Sequence, residues 1–157
     1  MKKYLVIGNP IEHSLSPKLH SHWIKENSID AVYDKKQLNE IDIKEIITEV
    51  KVGKIDGINV TVPFKKSVIF FLDQLTPLAK EAQSVNTIFK KNNKIIGDNT
   101  DVGGFEHSLK HINYSVKNKK VFILGAGGVA SSIVIALKRL RVAKIILSNR
   151  TKKKQKI

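Results

Sequence analysis

Residues 121–140 read VFILGAGGVASSIVIALKRL, and the reading of this stretch decides the fold class. An apolar, β-branched run stops at Gly125, a small-residue turn follows, and a strongly apolar helix begins. A second strand pattern, AKIILSN at 143–149, comes next. Gly125-x-Gly127-x-x-Ala130 between strand and helix is a dinucleotide-binding fingerprint with alanine in the third place. The first glycine makes the tight turn, and the second lets backbone approach a pyrophosphate. The small third residue lets the helix pack near the strand. Exposed amides at the helix start favour anionic phosphates. Gly125, Ala126, Gly127, Gly128, Val129 and Ala130 are therefore the candidate phosphate contacts, and an ordinary strand-to-helix turn is the competing reading.

The end of the second strand specifies the guest further. An acidic residue there bonds the ribose hydroxyls of NAD, whereas arginine accommodates the 2′-phosphate of NADP. The chain carries Asn149, Arg150 and Thr151 at this place, followed by Lys152, Lys153 and Lys154, with no acid. NADP is the expected cofactor, with Asn149, Arg150, Thr151 and Lys154 as contacts. A plain basic loop is the alternative.

Toward the N-terminus the pattern alternates. KYLVIG (3–8) reads as a strand and SPKLHSHWIKENS (16–28) as a helix, with Ser16 at the cap, Pro17 first inside, and Leu19 and Trp23 on one face. AVYDKKQL (31–38) reads as a strand, and in DIKEIITEVKV (42–52) Ile43, Ile46, Ile47 and Val50 fall at helical spacing. IDGINVTV (55–62) is a third strand, after which Pro63 can start a helix. SVNTIFKKNNKIIGDNTD (84–101) reads as a hairpin turning at Asn92 and Asn93, because asparagine tolerates positive φ. VGGFEHSLKHINYS (102–115) is expected to be a helix beginning after Gly103-Gly104. The expected class is α/β: a substrate-binding domain over 1–101 with a mostly parallel sheet, a linker helix over 102–118, and the beginning of a Rossmann-like domain over 119–157.

Composition bounds the rest. The chain has 157 residues, no cysteine, and no apolar run long enough for a membrane span, which needs roughly 18 residues. The segment MKKYLVIGNP leads straight into Gly8-Asn9-Pro10 and reads as a strand, not a signal peptide. The absence of disulfides and cysteine zinc sites fits a cytoplasmic setting. Residues 102–157 hold 13 of the 28 basic residues and a single acid, Glu106. That excess suits phosphate ligands and a solvated face better than nucleic acid, since the region offers no aromatic stacking platform. The five histidines show no metal-ligating pattern and suit surface or packing roles.

The stretch GINVTVPFKK (57–66) puts Asn59, Thr61 and Lys65 near the carboxyl end of a strand, where open α/β sheets place ligands. Taken alone, backbone-satisfying side chains and an exposed lysine explain it equally well. The order and spacing of GNPIEHSLSPKLHS, GINVTVPFK, SVNT, GDNTD, GAGGVA and SNRT are similar to those of shikimate dehydrogenases. The resemblance covers residues 8–151. It implies NADPH-dependent, reversible reduction of 3-dehydroshikimate to shikimate in aromatic amino-acid (chorismate) biosynthesis. By matching position it implies that Ser14 and Ser16 hold the substrate carboxylate, that Asn59, Thr61 and Asn86 bond ring hydroxyls, and that Lys65 and Asp101 form the catalytic pair and also touch substrate.

The family's chains continue past the position of Ile157, so the second lobe is expected to be poorly folded, domain-swapped or completed by another chain. Pro77 stands where many relatives carry an acid. The expected partners are a small-molecule substrate and the cofactor, with no nucleic acid and no membrane, and a homodimer is compatible with the sequence. The alternatives are a quinate/shikimate dehydrogenase using NAD or NADP and a non-catalytic shikimate-binding fragment. Ser16 and Arg150 favour the narrower, NADP-using type.

Overall fold

The structure, a computed structural model, describes residues 1–151, which fall into two compact α/β units. The first comprises residues 1–76 and 85–98; the second comprises 77–84 and the chain from 99 onward.

The first unit is a six-stranded sheet. Its strands are β1 (Lys2–Gly8), β2 (Ala31–Gln37), β3 (Gly57–Val60), β4 (Gln74–Leu75), β5 (Thr87–Lys91) and β6 (Lys94–Asp98), in the spatial order β2-β1-β3-β5-β6-β4. β1 pairs in parallel with β2 and β3, and β4 with β6, while β5 is antiparallel to β3 and β6. Helix α1 (Ser16–Glu26) makes the crossover from β1 to β2 that parallel strands require. Helix α2 (Ile43–Lys51) buries Ile43, Ile46, Ile47 and Val50, the spacing of one helix face. Each such side chain contributes about 1.5–3 kcal/mol relative to exposure.

The hairpin turns where the sequence indicates: Lys91 pairs with Lys94, and Asn92 and Asn93 take φ of 50° and 61°, the backbone of a tight two-residue turn. Helix α1 differs from expectation in depth, since none of its residues is buried and Leu19 and Trp23 are each 47% exposed. Its Ile24 packs on the small cluster of Val6, Ile11 and Tyr33.

Three further local expectations are corrected. Ser16 is the first residue of α1, and the cap position is held by Leu15, whose side chain caps nothing. Pro63 does not start an α-helix. Turns lead to a 3-10 helix at Ser67–Phe71, because the Lys65 carbonyl accepts from Val85 N at 2.8 Å and is lost to any helical ladder. The helix expected after Gly103-Gly104 starts earlier, at Asp101, because Asn99 Oδ1 accepts from Val102 N at 3.1 Å ahead of the glycines. Strand β4 and helix α3 (Pro77–Ala82) were not anticipated; two and six residues are too few to show a period.

The second unit contains α3, α4 (Asp101–His111), β7 (Lys120–Leu124), α5 (Ala130–Arg139) and β8 (Lys144–Ser148), with β7 and β8 parallel and in register. Ala82, Val102, Ile135 and Ala136 form its core, joined by Leu78 and Phe105. Arg139 Nε donates to Glu106 Oε1 at 2.7 Å across α5 and α4. Val121 and Ile123 are half-buried, while Phe122 and Leu124 on the opposite face of β7 are exposed. Among the described residues no helix is long and apolar enough to cross a membrane.

Candidate active site

The first unit places four of the six candidate substrate residues it holds in two hydrogen-bonded groups at the carboxyl ends of β1 and β3. Ser14 and Ser16 occupy the turn between β1 and α1. Ser14 N donates to Ile11 O at 3.0 Å, and Ser14 Oγ accepts from Ser16 N at 3.3 Å, so one serine holds the backbone of the other. The Ser16 side chain lies beside the phenol of Tyr33. Tyr33 Oη in turn donates to Asn59 Oδ1 at 2.7 Å. Asn59 Nδ2 donates to Asn86 O at 3.3 Å and to Thr87 Oγ1 at 3.2 Å, and the Thr87 hydroxyl donates to Asn86 Oδ1 at 3.1 Å.

Tyr33 lies on β2 and is buried, and its ring stacks on His20 of α1 with centroids 4.1 Å apart and planes 2° from parallel. Burial pushes the Tyr33 phenol up to about 12, with the Ser16 side chain opposing in the smaller measure. The phenol is thus a neutral donor throughout the physiological range. Burial also lowers the His20 pKa, which favours the uncharged ring in the stack.

Thr61 stands one residue past β3, its N–H donating to Ile7 O at 2.9 Å. Gly8 faces it, and a Cβ built on Gly8 would come within 2.5 Å of the Thr61 methyl. Lys65 follows in the same turn. Its carbonyl is held by Val85, the residue before Asn86, whose own N–H donates to Asp98 O at 3.0 Å. The backbone on both sides of Lys65 and Asn86 is therefore tied into the sheet.

In the second unit Asp101 is the first residue of α4, where the helix dipole favours a carboxylate. The residue that builds this corner is Asn99, 1% exposed. Its Nδ2 donates to Ser84 O at 2.8 Å and to Ser132 Oγ at 2.9 Å, while its Oδ1 caps α4.

The glycine turn has the local geometry its pattern predicts. Gly125 takes φ of +103°, a conformation L side chains avoid, and its N–H donates to Ser148 O at 2.7 Å. A Cβ on Gly127 would meet nothing within 4 Å, which leaves room for a bulky group over the turn. Asn149 Oδ1 accepts from Ala126 N at 3.1 Å and its Nδ2 donates to Thr151 O at 2.9 Å, so Asn149 braces the turn and the loop after β8 together. Helix α5 begins at Ala130 after Val129 with no side-chain cap, and Ala130 N donates to Gly127 O at 3.1 Å within the turn. Arg150 and Thr151 are exposed; Lys152, Lys153 and Lys154 lie outside the described residues. The open space over the turn and the exposed guanidinium fit a phosphate-bearing dinucleotide.

The family profile of the shikimate dehydrogenase substrate binding domain matches residues 6–88, just over half of the chain. The chain belongs to the shikimate dehydrogenase family. A shikimate dehydrogenase (NADP(+)) of Pelagibacter ubique is 58% identical over 153 residues, covering 98% of this chain and 58% of that protein. The crystal structure of shikimate dehydrogenase from Aquifex aeolicus superposes with a TM-score of 0.91 at 42% identity, over 98% of this chain and 57% of that one. A shikimate 5-dehydrogenase from Thermus thermophilus, solved with NADP(H) and shikimate, gives a TM-score of 0.89 at 28% identity over 99% of this chain and 58% of that one. The chain thus spans under three fifths of the length of these shikimate dehydrogenases.

The sequence reading missed Tyr33, Thr87 and Asn99. Each carries part of the polar framework through partners distant in the chain. The one signal for Tyr33 was a phenol at a strand position that should be buried, since a buried hydroxyl demands a partner.

Proposed function

We propose that this chain provides the substrate-binding portion and the start of the nucleotide-binding portion of an NADP-dependent shikimate dehydrogenase. The reaction is reversible reduction of 3-dehydroshikimate to shikimate in the aromatic branch of biosynthesis. The observation that carries the reading is the hydrogen-bonded network joining Tyr33, Asn59, Thr87 and Asn86, residues far apart in sequence that converge at the carboxyl end of β3. A polyhydroxylated carboxylate needs many neutral donors and acceptors at fixed positions, and a site built this way discriminates against analogues lacking a hydroxyl.

In this reading Ser14 and Ser16 receive the carboxylate, and Asn59, Thr61 and Asn86 receive ring hydroxyls. Lys65 and Asp101 are the acid–base pair. The ammonium of Lys65 donates the proton needed by the oxygen that gains negative charge, and Asp101 is its partner in that step. NADP(H), when bound, supplies or accepts the hydride. The turn Gly125, Ala126, Gly127, Gly128, Val129 and Ala130 holds its phosphates; Asn149, Arg150, Thr151 and Lys154 serve the ribose end. Functionally, residues 1–101 serve the substrate, 102–118 link, and 119–157 begin the cofactor lobe. A cysteine-free, highly charged chain supports a cytoplasmic setting, and a homodimer is the assembly to test by light scattering.

Shikimate-dependent NADP reduction, compared between the wild type and Lys65→Ala, tests the reading. Loss of turnover with unchanged NADPH affinity is expected, and undiminished turnover in the variant overturns the role of Lys65. Rates with quinate and NAD that match those with shikimate and NADP favour the broader quinate/shikimate type. Saturable shikimate binding with no NADP reduction by the wild type favours a binding fragment.

A further inference from the structure

We propose that Tyr33 is the positioning residue that sets the donor and acceptor polarity of the shikimate site, an inference that rests on the reading above. A phenol has one hydrogen to give, and here it goes to Asn59 Oδ1 at 2.7 Å. This fills the acceptor of the Asn59 amide and fixes its other end, the NH2 group, as the donating end. The bonds that end makes, 3.3 Å to Asn86 O and 3.2 Å to Thr87 Oγ1, are long for N–H···O contacts, which centre on about 2.9–3.0 Å. A ligand hydroxyl that accepts at a shorter distance can take the place of one of them. If the amide were free to turn over, its carbonyl would face the same hydroxyl and require the opposite proton arrangement.

The carboxylate end of the site is held separately, since Ser16 N donates to Ser14 Oγ at 3.3 Å. The bond from Tyr33 therefore bears on the ring hydroxyls and not on the carboxylate. Tyr33 keeps Asn59 polarised throughout. Its ring is held for this task by burial and by the stack on His20 at 4.1 Å.

The test is Tyr33→Phe in the 157-residue chain, which keeps the ring and the stack and removes only the hydroxyl. Shikimate and cyclohex-1-enecarboxylate, which has the carboxylate and no ring hydroxyl, are titrated by NMR. Circular dichroism melting checks the fold. Shikimate affinity is expected to fall roughly tenfold, the equivalent of one buried hydrogen bond, while cyclohexenecarboxylate binds no more weakly than to the wild type. A parallel fall for both ligands would mean mere loosening of the site and would overturn the inference, as would unchanged shikimate affinity. Failure of the wild type to bind shikimate overturns the functional reading together with this inference, whereas the other two adverse outcomes leave that reading standing.

Discussion

Asn99 Nδ2 donates to Ser132 Oγ at 2.9 Å, and both residues are almost wholly buried, at 1% and 0% exposure. The same amide holds Ser84 O and caps α4 at Val102, so one side chain joins α4, α5 and the end of the α3 segment. Truncation leaves a buried hydroxyl, a carbonyl and an N–H without these bonds. Asn99→Ala is expected to lower stability by about 3 kcal/mol, since each unsatisfied buried group costs about 1–3 kcal/mol and the terms overlap. Denaturant titration measures the loss, and faster amide hydrogen exchange at Val102 locates it.

Gly8 is expected to tolerate no side chain. A methyl group there would lie 2.5 Å from Thr61 Cγ2 and 3.0 Å from Val62 O, closer than carbon atoms approach without a shift. Gly8→Ala should cost about 1–3 kcal/mol, as overpacking does, and displace Thr61. Reduced shikimate affinity by calorimetry, beyond any change in melting temperature, checks the second effect.

The pH dependence of stability should carry a contribution from His20. Burial lowers its folded pKa below the usual 6.5, so the unfolded chain takes up a proton more readily than the folded one. The contribution is complete above about pH 6.5 and is lost as pH falls from there through the depressed folded value. His20→Phe keeps an aromatic ring against Tyr33 and cannot titrate. Denaturation midpoints at pH 7.5 and 5.5 should differ less for the variant than for the wild type; equal differences would remove His20 from the account.

Ser84 presents the opposite case. Its Oγ is buried and has no hydrogen-bond partner among the described residues. Ser84→Ala removes a desolvated hydroxyl without losing a bond. The melting temperature should hold or rise, by an amount corresponding to about 1 kcal/mol; a clear fall would show that the hydroxyl bonds something important.

The features visible in the sequence are those set by neighbours in the chain. The glycine turn at Gly125, the Asn92-Asn93 turn and the buried face of α2 depend on backbone preference or on a period of a few residues, so their patterns appear directly. Tyr33 and Asn59 are 26 residues apart, and Asn99 and Ser132 are 33 apart. Tertiary packing alone creates such pairs, and no local pattern announces them. The Pro63 segment failed for the same reason: the Lys65 carbonyl is claimed by Val85, a partner that lies in another strand's approach. Family resemblance supplied Ser14, Ser16 and Asn86 as candidates, but it did not supply the phenol that holds Asn59.

The six-stranded sheet also bears on how the protein behaves when concentrated. Its outer strands are β2 and β4. β2 carries Asp34, Lys35 and Lys36 in succession, with Lys35 Nζ bonded to Glu12 O at 2.7 Å, and β4 is only two residues long. A charged border on one side and a stub on the other give a neighbouring molecule a poor template for adding a strand. The first unit is thereby guarded against growth into fibres, through residues that have no part in chemistry.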